Sequence, residues 1–164
     1  MELAIRNKWI SLRGSSIVKD VNENDVLKVR GKFFTVTSKK FVTTLDDEVK
    51  YIVRNKFWRI FHRKAYIYNS NKEIVARIKR KIFSVHDRYF IETSLGNIEL
   101  MGNIFQFNYS IKLNGEEIGH VARKISLRDS FVLTINDDQD YMFFVALVIA
   151  LDNMTDKRDA DHSN

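Results

Sequence analysis

The sequence predicts a closed barrel of about twelve antiparallel β-strands built around a buried C-terminal α-helix. Three observations predict it: a short segment repeated at near-constant spacing, strand-like alternation between the repeats, and one long apolar run near the C-terminus. Strands that close into a barrel leave no exposed edges. A barrel of more than eight strands encloses space beyond what its own side chains fill, and a helix ~10–12 Å across suits that space.

The repeated segment carries a cation or an amide followed by apolar or aromatic residues. Its second positions are residues 8, 32, 56, 81, 103 and 124, so the steps run from 21 to 25 residues. A fixed step indicates a repeated supersecondary unit, and this length accommodates two strands with their connections. The segments are NKWI at 7–10, GKFF at 31–34, NKFW at 55–58, RKIF at 80–83, GNIF at 102–105 and RKIS at 123–126.

Residues between the repeats alternate as half-buried strands do. In the last full unit Tyr109, Ile111 and Leu113 alternate with polar residues, and Asn114-Gly115 follows as a strong hairpin signal. Proline is absent, so the turns depend on Asn, Asp and Gly. The predicted inward residues are Leu27, Val29, Tyr51, Val53, Ala76, Ile78, Ile111, Leu113, Phe131, Leu133 and Ile135.

The apolar run spans residues 141–151, YMFFVALVIAL. A helix without a polar face is buried on every side, and eleven residues fall short of the ~20 that cross a bilayer. We therefore predict a plug helix over about 138–154, with its N-cap among residues 136–138. One domain is expected over residues 1–154, followed by a disordered polar tail over 155–164.

Composition narrows the functional classes. Residues 1–136 hold 25 Lys+Arg against 14 Asp+Glu, whereas residues 137–164 hold 2 against 7. A basic strand region favours phosphate-bearing partners such as nucleic acid or anionic lipid, or acidic proteins; a solvated surface is the alternative. The chain has no cysteine, and no leader or spanning segment is visible, so we expect a cytoplasmic protein.

Catalysis finds little support in the sequence. The histidines are scattered without metal-ligand spacing, and neither a phosphate-binding loop nor a nucleophile elbow is present. We interpret the adjacent residues His86 and Asp87 as part of a turn and not as a catalytic dyad. We therefore expect a protein that is not an enzyme and that takes no cofactor or metal.

Two basic clusters are candidate sites. The first contains Arg77, Lys79, Arg80 and Lys81; in a strand Arg77, Lys79 and Lys81 share one face and span roughly 13 Å, enough for a phosphate-bearing head group. The alternative for this cluster is a solvated strand face. The second cluster is interleaved with Phe57, Trp58 and Phe61, and its alternative is packing at a barrel corner. Its cations are Arg54, Lys56, Arg59, Arg63 and Lys64.

Several segments resemble the LURP-one-related family, and the resemblance runs from about Ile5 to Met154. They are IRNK at 5–8, VRGKF at 29–33, VARIK at 75–79 and VALVIALD at 145–152. The bacterial single-domain members are the most similar. The resemblance implies the fold of the tubby C-terminal domain, with a relation to phospholipid scramblases: a twelve-stranded barrel around a central helix.

The same resemblance suggests a function. Tubby domains bind phosphoinositides through basic side chains, which implies head-group contacts for Lys79, Arg80 and Lys81. We therefore expect a non-catalytic domain that binds anionic phospholipid, peripheral at the inner membrane surface. Three alternatives remain: a protein-interaction scaffold, a carrier of a small ligand beside the helix, and a nucleic-acid-binding protein, although no base-reading motif supports the last.

Overall fold

A computed structural model of the chain describes residues 1–6, 15–32, 39–57, 63–81, 87–103, 107–124 and 130–161. Within those ranges it contains twelve β-strands and one α-helix. The first six strands are β1 Glu2–Arg6, β2 Ser15–Asp20, β3 Asp25–Lys32, β4 Lys39–Thr43, β5 Val49–Phe57 and β6 Arg63–Asn69. The remaining elements are β7 Ile74–Lys81, β8 Asp87–Thr93, β9 Gly96–Asn103, β10 Asn108–Leu113, β11 Glu116–Lys124, β12 Ser130–Ile135 and α1 Tyr141–Asp161.

The strands form one closed antiparallel barrel. Each strand pairs with its neighbours in chain order, and β12 closes the barrel by pairing with β1 through registers such as Leu3 with Leu133. Leu3 and Leu133 are fully buried, as are most residues predicted to point inward. The predicted fold class is therefore confirmed.

Three turns at the same end of the barrel share one construction. Asp20, Thr44 and Asn69 each start a turn, and a side-chain oxygen of each accepts the backbone N–H of the residue four positions later. The residue before that donor has a positive φ of 62° to 68° in all three turns. The predicted Asn114-Gly115 hairpin also has positive φ at both positions, 51° and 92°. Asp, Asn and Thr side chains thus provide the turns in a chain without proline.

The plug helix starts later and ends later than the sequence predicted. Its N-cap is Asp140, whose Oδ1 accepts hydrogen bonds from the backbone N–H groups of Met142 at 3.0 Å and Phe143 at 3.2 Å. The expected cap among residues 136–138 is wrong because Asp140 already satisfies these exposed donors. The helix ends at Asp161, not near 154, because residues 155–161 contain no Gly or Pro to stop it.

Residues 143–154 of α1 are all buried inside the barrel. No helix among the described residues combines the length and apolar character that crossing a membrane requires. Strand β5 holds α1 at two points: the Tyr51 hydroxyl donates to Asp140 Oδ2 at 2.5 Å, and Asn55 Nδ2 donates to the Ala150 carbonyl at 3.4 Å. The helix thus has a fixed position along β5.

Aromatic side chains occupy the interior near β8, β10 and β12. The Phe107 ring lies 4.3 Å from that of Phe131 and 5.5 Å from that of Tyr109, measured between centroids. Tyr109 in turn meets Tyr89 at 5.9 Å in an edge-to-face arrangement. Since α1 packs mainly against β5 and β6, these rings support the opposite wall. Both halves of the barrel wall are therefore backed by a core, and strands β5 and β6 pack directly on the helix.

Candidate anion-binding surface

Four basic side chains from three adjacent strands share one patch of the outer wall. Arg54 lies on β5, Lys64 on β6, and Arg77 and Lys79 on β7, and all four are exposed. Ile78, between Arg77 and Lys79, is fully buried, as strand alternation requires. We call the patch formed by Arg54, Lys64, Arg77 and Lys79 the basic face.

Strand pairing joins the two predicted clusters into this one surface. Lys64 lies directly opposite Lys79 in the β6–β7 register. Tyr66 lies opposite Arg54 on one side and Arg77 on the other. Residues more than ten positions apart in the sequence are therefore nearest neighbours on the barrel, and a single anion can contact cations from both clusters.

Like charges face each other across these strands. Lys64 and Lys79 lie directly opposite each other on β6 and β7, and the backbone of Lys56 on β5 continues the row. Like charges in directly opposite positions destabilise a sheet. Such a row costs stability in the isolated protein, and an anionic ligand bound over it would offset that cost.

One of the four cations has a carboxylate partner. Lys79 Nζ lies 2.9 Å from Glu92 Oε1 on β8. This hydrogen bond, together with the charges of Lys79 and Arg77, lowers the pKa of Glu92. Within the part of the chain that the structure describes, Arg54, Lys64 and Arg77 form no ion pair. Three cations of the basic face therefore remain available to an external anion.

Aromatic rings accompany the cations on the outer wall. Tyr66 is half-buried between Arg54 and Arg77, and its ring centroid lies 6.4 Å from that of Tyr68. On the neighbouring β4, the Lys39 ammonium sits 5.0 Å from the centre of the Phe41 ring. Tyrosine side chains beside cations suit the boundary between water and lipid, where a ring can bury its body and keep its hydroxyl wet.

For the other predicted site residues the structure describes only the backbone, or nothing at all. Arg80 sits opposite the buried Tyr89 in the β7–β8 register, so it alternates with Lys79 along the strand. Predicted residues with a described backbone only are Lys56, Arg63, Arg80 and Lys81, and Arg59 lies outside the described residues. The structure therefore brings together Arg54, Lys64, Arg77 and Lys79 and does not place the remaining side chains.

Sequence reasoning missed three neighbours of the basic face. Lys39 lies opposite Arg54, Tyr66 separates the two arginines, and Glu92 pairs with Lys79. None of them lies in a basic run. The signal that could have found them is the strand register, because hairpins that turn at residues 44–48 and 69–73 bring these positions together. A bulge in each hairpin shifts the register by one residue, so counting back from the turn gives the wrong partners.

Groups suited to catalysis or metal binding do not converge in the described parts of the barrel. His120 is exposed on β11, whereas His62, His86 and His162 lie outside the described residues. No set of three or more His, Asp or Glu side chains among those described is arranged to hold a metal ion. The predicted turn at His86-Asp87 also falls outside them at His86.

Comparison with known proteins identifies the family. A solved X-ray structure of a protein from Arabidopsis thaliana superposes with a TM-score of 0.67 over 93% of this chain and 90% of that one, at 16% sequence identity. At this identity the likeness shows the fold, which is tubby-like. No curated protein matches the sequence. The LURP-one-related family model matches residues 1–152, and the chain therefore belongs to the LURP-one-related family.

Proposed function

We propose that this domain is a non-catalytic membrane-docking module that binds anionic phospholipid head groups through the basic face. The observation that carries the proposal is the exposed group of four cations on three adjacent strands, three of them without a carboxylate partner among the described residues. The expected location is peripheral, on the inner, cytoplasmic surface of a membrane.

The chemistry of the basic face suits phosphate. Arg54 and Arg77 offer planar guanidinium groups that can bind phosphate oxygens in pairs, and Lys64 and Lys79 add compact charges beside them. Near an anionic bilayer each such cation contributes about 1 kcal/mol. Four cations therefore contribute roughly 4 kcal/mol, sufficient for reversible peripheral binding but far from permanent anchoring.

The tubby-like fold supports the lipid proposal by analogy. Tubby domains, which share this architecture, bind phosphoinositides through basic side chains on the barrel. For this chain the analogy suggests an anionic phosphate-bearing head group as the ligand, held outside the barrel and not within it. The tyrosines beside the cations also favour a lipid surface over a solvated phosphate.

The test compares two double charge reversals in vesicle sedimentation. Arg54→Glu with Lys64→Glu changes the attraction by four charge units, so binding to vesicles of phosphatidylcholine and phosphatidylglycerol should fall nearly a thousandfold. The new carboxylate at position 54 lies opposite Lys39 and the one at position 64 lies opposite Lys79, so the fold should be retained.

A matched control reverses two cations away from the basic face. Lys72 is exposed in the β6–β7 turn and Lys112 lies on β10, and neither forms an ion pair among the described residues. Lys72→Glu with Lys112→Glu changes the net charge equally and should retain most of the binding. Equal losses in the two variants would mean that net charge, not the basic face, drives association, and the proposal would then be wrong.

A further inference from the structure

The two ends of the barrel differ sharply in charge. The turns between β2 and β3, β4 and β5, β6 and β7, β8 and β9, β10 and β11, and the link from β12 to α1, all lie at one end, which we call the turn end. These six segments hold 12 Asp+Glu against 1 Lys. The rest of the chain holds 26 Lys+Arg against 9 Asp+Glu. The segments counted are 20–25, 44–48, 69–74, 93–96, 113–117 and 136–140.

Nearby cations neutralise only part of the turn end. Lys28 and Arg30 lie 3.3 Å and 3.6 Å from Asp47, and Lys50 lies 2.7 Å from Glu48. Other carboxylates at this end have no ion-pair partner in the described parts of the chain: Asp46, Glu116 and Glu117. The turn end therefore carries a negative field of its own.

The basic face lies on the middle of the outer wall, separated from the turn end by part of each strand. Lys64 is the second residue of β6. The turn end lies at the opposite end of this strand, after Asn69. Along the strands Lys64 lies five positions from Asn69, Arg54 five positions from Val49 and Arg77 three positions from Ile74, so at ~3.3 Å per residue these cations lie roughly 10–17 Å from the turn end. Charges are screened over ~8–10 Å at physiological ionic strength. A membrane in contact with the basic face therefore senses the turn-end carboxylates only weakly.

We propose that the barrel docks on an anionic bilayer in one orientation, with the turn end directed away from the lipid. The inference rests on the proposed function and adds the docking geometry to it. Contact through the basic face attracts while the turn-end carboxylates stay beyond the screening distance. The inverted orientation brings the carboxylates to the anionic lipid and leaves the cations out of range, so it is repelled. The acidic end thus acts as an orienting element that remains accessible from the aqueous side.

The absence of cysteine from the sequence makes the orientation directly measurable. Single cysteines are introduced by Tyr66→Cys on the basic face and by Val21→Cys or Leu95→Cys at the turn end, where the side chains are 64% and 54% exposed. Each variant carries a polarity-sensitive fluorophore and is bound to phosphatidylglycerol-containing vesicles with a nitroxide quencher on the lipid. The label at position 66 should lose fluorescence, whereas the labels at 21 and 95 should keep the intensity of the unbound protein.

Charge reversal at the turn end supplies the matched control. Glu116→Lys with Glu117→Lys adds cations to the turn end and leaves the basic face intact. In this background the labels at 21 and 95 should become quenched in part, because the inverted orientation is no longer repelled. Vesicle-bound protein of the original charge that quenches equally at 66 and 95 would overturn the orientation and leave the proposed function standing. Failure of all variants to sediment with anionic vesicles would overturn both.

Discussion

At the scale of single residues, the most informative feature is a row of like charges. Lys64 lies directly opposite Lys79 in the β6–β7 register, although a carboxylate at position 64 would face a cation there. Opposite-charge cross-strand pairs contribute roughly 0.2–1 kcal/mol, and like pairs are destabilising. A stability-optimised barrel would place a carboxylate at position 64, so the lysine points to a requirement other than folding.

Lys64→Glu should separate stability from binding. The variant should melt slightly higher, by roughly 0.5–4 °C for a domain of this size, because a repulsive row becomes attractive. It should also bind anionic vesicles about thirtyfold more weakly, since two charge units change near the lipid. Thermal denaturation and vesicle sedimentation on the same preparation measure both effects.

Lys72→Glu is the control for Lys64→Glu. Lys72 is exposed at the turn end, so its reversal should change neither quantity by more than a small amount. If Lys64→Glu lowers the melting temperature, the row of lysines is structurally supportive and the argument from like charges is lost.

At the scale of elements, strand β5 links the core to the surface. Its inward side chains Tyr51 and Asn55 bond the N-cap of α1 and the Ala150 carbonyl within the buried part of the helix, and its outward Arg54 belongs to the basic face. The four residues from Tyr51 to Asn55 cover about 13 Å of strand, and the ten residues from Asp140 to Ala150 cover about 15 Å of helix. The two lengths are similar, so both hydrogen bonds can form when α1 runs parallel to β5. The basic face therefore rests on the strand that is fixed most firmly to α1.

Tyr51→Phe tests the contact at the start of the helix. Burial, and then the hydrogen bond to Asp140, raise the pKa of the Tyr51 hydroxyl. A raised folded-state pKa stabilises the fold at pH values below the unfolded pKa of about 10, and this stabilisation is lost as the pH rises further. The variant should therefore lose about 1 kcal/mol at neutral pH, a value reduced for solvent screening because the site is half exposed, and the loss should shrink above about pH 10.

Denaturant unfolding at neutral pH and above pH 10 measures the Tyr51 effect. The control is Tyr68→Phe, since the Tyr68 hydroxyl on the outer wall has no hydrogen bond within the described residues and its removal should be nearly neutral at either pH. A stability difference for Tyr51→Phe that persists unchanged at high pH would show that the hydroxyl acts through packing and not through its proton.

At the scale of the whole molecule, the barrel separates its charges along its axis. Net charge alone, +6, gives no hint of this, because the turn end and the rest of the chain carry balances of opposite sign. Part of the separation arises from chemistry that serves folding: Asp, Asn and Thr side chains build the turns in a chain without proline, and the up-and-down topology brings every second connection to the same end. A polarity of charge can therefore emerge from turn construction.

The fold was predictable because its signals are local. Alternation within each strand, the Asn114-Gly115 turn and the run at 141–151 each act over a few residues, and all three agree. The helix ends were less predictable. The sequence offers residues 136–138 as helix caps on equal terms with Asp140. The choice depends on tertiary contacts: Asp140 accepts hydrogen bonds from the Tyr51 hydroxyl and from the backbone N–H of Met142.

The candidate site was predictable only in pieces. Arg77 and Lys79 stand out in a basic run, and Arg54 and Lys64 belong to a second one, but their adjacency depends on the β5–β6–β7 register. A bulge between Ile67 and Tyr68 shifts that register by one residue, which alternation in a single strand does not reveal. Glu92 became a partner of Lys79 only through the further pairing of β8.

The central claim is that this barrel recognises anionic lipid, and wild-type vesicle sedimentation tests it most directly. Vesicles of phosphatidylcholine alone are compared with vesicles that also contain phosphatidylglycerol, at low salt and then near 1 M salt, where screening acts over about 3 Å. We expect binding to the anionic vesicles at low salt, loss of that binding at high salt, and no binding to the neutral vesicles. Protein that stays in the supernatant with anionic vesicles at low salt, or that sediments equally with both kinds, would contradict it.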